Sequence, residues 1–259
     1  MAEGDLLVHQ EGDLVRLTLA NPDRRNAITW RMYDGLEAAL TRIDADPQVR
    51  AVVLRGAGGQ AFAAGTDIGQ FTEFRSSDDA IAYERRIGQV LDRLTAVRVP
   101  VLAVVEGPAV GAGLVLAASC DIVVATPDAV FGAPIAHTLG NCLSPAVVRQ
   151  LQTRLGRGRT MAMLLTATLL TAAEAATAGL VAEVIPRSEL DTRVDELLAR
   201  VIGGAPLTLA GLKEVDRRLA ASAVEVDADD VLRRCYGSAD FAAAVRAFLA
   251  HERPRWEGR

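Results

Sequence analysis

Val101-Leu102-Ala103-Val104-Val105-Glu106-Gly107-Pro108-Ala109-Val110-Gly111-Ala112-Gly113 runs straight into Leu114–Ser119 and then into Ile122–Ala125. The first five residues are apolar and mostly β-branched, so they read as a strand. Glycines at 107, 111 and 113 make the next segment a turn. Leu114–Ser119 then reads as a helix and Ile122–Ala125 as a second strand. Strand, glycine turn, helix, strand is a crossover unit, the building block of an α/β fold.

The same alternation extends toward the N-terminus. Leu6–His9 and Val15–Leu19 read as short strands of a hairpin turning at Glu11-Gly12-Asp13, and Asn21-Pro22-Asp23 ends the second strand. Met32, Leu36, Ala39, Leu40 and Ile43 fall at helical spacing behind Thr29, an N-cap residue type, and predict a helix to about Asp44. Ala51–Leu54 is a further strand, followed by a glycine turn over Gly56–Gly59. Ser77-Asp78-Asp79 caps a long helix ending near Val97. Past Pro145 helical spacing dominates, apart from a short strand at Val181–Ile185. Ala205-Pro206 marks a boundary between a body, residues 1–204, and a helical region, residues 205–259, with helices at about 207–220, 225–235 and 238–250.

Composition narrows the function. The chain has 259 residues, half of them hydrophobic and 24% charged, the profile of an ordinary globular protein. A net charge of −5 argues against nucleic acid as the main partner, which calls for a basic face. Cys120, Cys142 and Cys235 are far apart and form no CxxC pair, so neither a disulfide framework nor a zinc site is expected and a reduced, cytoplasmic setting fits. The first residues, MAEGDLLVHQEGD, have no apolar signal core, and the apolar run Ala109–Cys120 is too short to span a bilayer.

Two segments share a design suited to chemistry. Ala61-Phe62-Ala63-Ala64-Gly65-Thr66-Asp67-Ile68 and Glu106–Gly113 are both loops of small residues between a strand and a helix. Small residues let a ligand approach the backbone, and amides at a helix start carry partial positive charge outward. Two such amides aimed at one point form an oxyanion hole. The plainer alternative is that small residues only permit tight strand–helix packing. Gly111-Ala112-Gly113 with Asp128 further on also matches part of a dinucleotide fingerprint, but Leu116 occupies the third glycine position.

With Asn21-Pro22-Asp23-Arg24-Arg25-Asn26-Ala27, Phe62–Ile68, Val99-Pro100 through Cys120-Asp121, Leu170–Ala175, Gly179-Leu180-Val181 and the tail from Phe248 to Arg253-Pro254 and Gly258-Arg259, the sequence resembles the enoyl-CoA hydratase/isomerase (crotonase) superfamily along nearly its whole length. The resemblance implies a spiral of ββα units with a C-terminal helical trimerisation region, assembled as a homotrimer or dimer of trimers. It implies an acyl-CoA substrate and no cofactor beyond the CoA that the substrate carries. By motif position it assigns the oxyanion amides to Ala64 and Ala112, and CoA contacts to Arg24, Phe62, Asp67 and Ile68.

The departures from the family pattern bear on the reaction. Hydratases of this family carry two glutamates, whose positions fall at Val115 and Ile135 here, and a third position used by isomerases falls near Ser144. Proton transfer needs a titratable group in reach, and neither Val115 nor Ile135 is one. His137 is the first candidate substitute, because an imidazole can both accept and give a proton; the alternative is a surface imidazole beside the pocket. Asp67 reads as a loop-holding carboxylate, Glu73, Tyr83 and Glu84 as residues on covering helices where most charges are solvated, Cys142 as a buried thiol, and Asn141 and Ser144 as orienting groups. The expected function is a crotonase-type acyl-CoA enzyme. Decarboxylation, thioester hydrolysis and a catalytically silent acyl-CoA-binding subunit stand as alternatives.

Overall fold

The apolar runs pair into one twisted sheet. In a computed structural model, which describes residues 4–221 and 229–257, β1 (Asp5–Glu11) and β2 (Leu14–Ala20) form an antiparallel hairpin. β2 then pairs in parallel with β3 (Ala51–Gly56), β3 with β4 (Val101–Val105), β4 with β6 (Ile122–Ala125), and β6 with β9 (Glu183–Val184). A smaller sheet holds β5 (Pro108–Val110), β7 (Val130–Gly132) and β8 (Leu170–Thr171).

Both faces of the sheet are covered at β3, β4 and β6, which explains their apolar runs. Val52, Leu54, Val101, Ala103 and Val105 face one cluster with α1 (Trp30–Ala45), α2 (Ser77–Ala96) and α3 (Ala112–Ser119). Ala51, Val53, Leu102 and Val104 face the other, closed by Leu190, Val194 and Leu198 of α8 (Leu190–Ile202). Between α3 and α8 lie α4 (Ile135–Thr138), α5 (Pro145–Leu155), α6 (Arg157–Thr166) and α7 (Ala172–Thr177).

Thr29 caps α1 as expected, its hydroxyl accepting from Met32 N–H at 3.3 Å. The cap of α2 is Ser76 rather than Ser77: the Asp79 carboxylate accepts from the Ser76 N–H at 2.8 Å, closing the first turn one residue earlier. α3 starts at Ala112, two residues before the apolar spacing shows it, because small residues carry no periodic signal.

The C-terminal region contains α9 (Pro206–Ala221), α10 (Asp229–Tyr236) and α11 (Ala239–Leu249). Residues 225–228 of the expected middle helix and the terminal Gly258-Arg259 lie outside the described residues. Leu232, Tyr236, Phe241 and Val245 are buried in the same cluster as α1 and α2, so α10 and α11 close the body's own core. Phe248 and Leu249, at the C-terminal end of α11, remain 44% and 46% exposed.

Candidate functional site

The two small-residue loops are zipped together by backbone hydrogen bonds. Phe62 N–H donates to Pro108 C=O at 3.0 Å, and Val110 N–H to Ala63 C=O at 2.9 Å. Gly113 is required for this approach, since a Cβ there would stand 2.2 Å from the Ala63 carbonyl oxygen. On its other side the 62–68 loop pairs with the chain around Ile28. Ala64 N–H donates to Arg25 C=O at 3.0 Å, Ile28 N–H to Gly65 C=O at 2.8 Å, and Asp67 N–H to Ile28 C=O at 2.9 Å.

These bonds correct the expected donor pair. The Ala64 amide is already taken by the Arg25 carbonyl. Gly65 C=O faces Ile28, and in a trans peptide the N–H of the same unit points the opposite way. That N–H belongs to Thr66, and it has no acceptor among the described residues. Ala112 is the first residue of α3, and its N–H is likewise without an acceptor, as a helix start leaves it. Thr66 and Ala112 line the same cleft, about 910 Å³ including its open mouth.

The cleft wall is largely apolar. Ile68, Val115 and Ile135 line it, together with Phe71, Ile87, Leu91, Leu139 and Val147. Phe248 of α11 also reaches it, so the C-terminal region contributes a wall. Phe62 does not line the cleft; its side chain is fully buried in the core and acts as the anchor of its loop. Arg24 and Asp67 form an ion pair at 2.6 Å, with the guanidinium half exposed. Asp67 also accepts from Gly69 N–H at 3.0 Å, so it holds the turn that follows. His137 sits on α4 with its side chain exposed and outside the cleft wall. Glu73 is exposed as well. Burial raises the half-buried Cys142 thiol, with Cys235 adding to it, which disfavours the thiolate.

The polar groups inside the cleft come from elsewhere. Tyr33, Thr66 and Tyr83 form a buried hydroxyl chain, with Thr66 Oγ1 at 2.9 Å from Tyr33 Oη and 2.8 Å from Tyr83 Oη. Glu84 lines the cleft at 9% exposure. Tyr236 of α10 donates to Glu84 Oε1 at 2.5 Å, and Asn141 Nδ2 donates to Tyr236 Oη at 3.1 Å. The Ser144 backbone N–H acts on the same carboxylate. Burial pushes the Glu84 carboxyl up to about 7, against the lowering effect of the Tyr236 and Ser144 hydrogen bonds. Asn141 Oδ1, at the same end of the cleft, is buried with no hydrogen-bond partner among the described residues.

The sequence profile of the enoyl-CoA hydratase/isomerase family matches residues 9–259. The chain belongs to that family. It is 29% identical over 271 residues to the short-chain-enoyl-CoA hydratase of Clostridium acetobutylicum, covering all of this chain and 98% of the relative. The crystal structure of an enoyl-CoA hydratase/carnithine racemase from Magnetospirillum magneticum superposes with a TM-score of 0.81 at 32% identity, covering 100% of this chain and 97% of that one. A methylmalonyl-CoA decarboxylase in complex with 2-nitronate-propionyl-CoA superposes with a TM-score of 0.89 over the full length of both chains at 23% identity, a likeness of fold. The crotonase-type α/β architecture with a helical C-terminal region is thereby established for this chain. No helix among the described residues is long and apolar enough to cross a membrane.

Proposed function

We propose that this protein is a crotonase-type enzyme that holds the carbonyl oxygen of an acyl-CoA thioester between the backbone amides of Thr66 and Ala112. The observation that carries the reading is the pair of amides without acceptors, delivered by two different loops to one apolar cleft. Such donors stabilise negative charge developing on a thioester oxygen at no reorganisation cost. The apolar wall suits an acyl chain, and a thioester enolate is the charge that the amides would meet.

Calorimetry tests this with butyryl-CoA and S-butyl-CoA, a thioether that lacks only the carbonyl oxygen. Butyryl-CoA is expected to bind about tenfold more tightly, the worth of one or two hydrogen bonds. Ala112→Pro removes one donor at a helix position that tolerates proline and should bring the two ligands close together. Equal affinities for both ligands in the wild-type protein would overturn the oxyanion assignment. In the same titration Arg24→Ala is expected to weaken both ligands several-fold, since a half-exposed guanidinium with spare donors suits a CoA phosphate. Unchanged affinity would remove Arg24 from the CoA site.

Assembly as a homotrimer or dimer of trimers belongs to the same reading. Leu207, Leu212 and Val215 on α9 are 88%, 64% and 56% exposed, an apolar face that a partner surface would cover. Light scattering is expected to give a trimer or hexamer mass; a monomer at micromolar concentration would count against it.

A further inference from the structure

We propose that Glu84 is the catalytic residue that takes a proton from an acyl-chain carbon beside the thioester and returns it, with Tyr236 as its positioning residue. The inference rests on the acyl-CoA reading above. Among the described residues Glu84 is the carboxyl group on the cleft wall, and the wall around it is built from hydrocarbon, the hydroxyls of Tyr33, Thr66, Tyr83 and Thr138, and the Asn141 amide group. Its place on α2 is unusual for a charged residue. Ala80, Glu84, Ile87 and Leu91 share the buried stripe of that helix, so Glu84 stands where an aliphatic side chain would complete the packing.

A buried carboxyl carries a desolvation cost, and no cation among the described residues offsets it. The titratable groups facing it are Tyr33 of α1, Tyr83 of its own helix, Tyr236 of α10, and Cys142 beside Asn141, all of them neutral near pH 7. The carboxyl titrates near neutral pH, which suits a group that must both accept and return a proton.

The step balances without a further reagent. The Glu84 carboxylate accepts the proton, and the C–H electron pair moves into the thioester as an enolate whose oxygen rests on the Thr66 and Ala112 amides. The resulting carboxylic acid then gives its proton back, at the same carbon or at the far end of a conjugated system. One carboxyl is enough for an exchange or an allylic shift. Tyr236 fixes the carboxyl through the 2.5 Å hydrogen bond and is itself fixed by Asn141.

The alternative role for Glu84 is to dock α10 on α2 through Tyr236, and the test separates the two. Butyryl-CoA is incubated with the full-length protein in D2O buffer, and α-deuterium is followed by mass spectrometry. The wild-type protein is expected to exchange, with a rate rising through a midpoint near pH 7. Glu84→Gln keeps an acceptor for Tyr236 and should bind butyryl-CoA as the wild type does, yet lose exchange by about 100-fold or more. Glu84→Asp should retain part of the activity. Tyr236→Phe removes a donor that favours the carboxylate, so its midpoint should move to higher pH, a shift that a docking role does not produce. Undiminished exchange in Glu84→Gln, or a wild-type protein that binds butyryl-CoA without exchanging it, overturns the assignment of Glu84 alone. An unmoved midpoint in Tyr236→Phe removes Tyr236. Failure to bind butyryl-CoA overturns both this inference and the acyl-CoA reading.

Discussion

Crotonyl-CoA is expected to leave this protein almost entirely unhydrated. Adding water across the double bond needs one group to deprotonate the water and one to protonate the α-carbon. Val115 and Ile135, where the family resemblance expects those two carboxylates, are apolar and line the cleft. Each missing acid–base group costs about 10²–10⁴-fold, so the loss of both should leave at most about 10⁻⁴ of the rate of a two-glutamate enzyme. Glu84 approaches from α2, a different wall, and supplies one carboxyl. It can carry one proton to and fro but leaves the second role empty. The measurement is loss of the enoyl thioester absorbance together with mass spectrometry for a hydroxyacyl product. Efficient hydration by the wild-type protein would sink this expectation. His137 is exposed outside the cleft wall, so Glu84→Gln would show whether the α2 carboxyl had taken over both roles.

Much of the fold is legible because its signals are local. The unbroken apolar run Val101–Val105 and the helical spacing from Met32 to Ile43 need only near neighbours to be read, and Thr29 announces its helix through one hydroxyl. The small-residue loops were legible too, as a place where backbone approaches backbone. Which amide they present was not. Whether the Ala64 or the Thr66 N–H points into the cleft depends on pairing with Arg25 and Ile28, roughly forty residues earlier, and a shift of two residues along an extended loop leaves the local pattern unchanged.

Glu84 had a signal that went unused. A carboxylate between Ala80 and Ile87 in the Ala80, Ile87, Leu91 stripe breaks the apolar face of α2, and a charge on the buried side of an amphipathic helix points to a partner or a function. Reading charges on that helix as solvated averages over its faces. The pairing with Tyr236 could not be read, because it spans 152 residues and depends on how α10 docks. The same docking divides the α11 stripe. Phe241 and Val245 enter the chain's own core while Phe248 turns toward the cleft, so one helix of the C-terminal region serves both the core and the pocket wall.

Removing the Glu84 charge is expected to stabilise the protein at neutral and alkaline pH. The folded carboxyl titrates at about 7 against an ordinary 4.5. Between those values the folded chain keeps a proton that the unfolded chain has released, so unfolding free energy falls as pH rises. The contribution is fully present below about pH 4.5, is lost progressively up to about pH 7, and is constant beyond. At about 1.4 kcal/mol per pH unit, the window corresponds to a loss of about 3 kcal/mol. Because the group is buried, solvent screening takes little from that figure. Glu84→Gln removes the titration while its amide oxygen can still accept from Tyr236 and Ser144. Urea unfolding at pH 5 and pH 8 should therefore show the variant close to the wild type at the lower pH and more stable at the higher, by up to about 3 kcal/mol. Other groups titrate in both proteins and cancel in the difference. Parallel stability profiles for the two proteins would mean that Glu84 is solvated in the folded state, which would also take away the reason for its neutral midpoint. A widening gap with rising pH would instead show a chain that gives up stability to keep a carboxyl in its cleft.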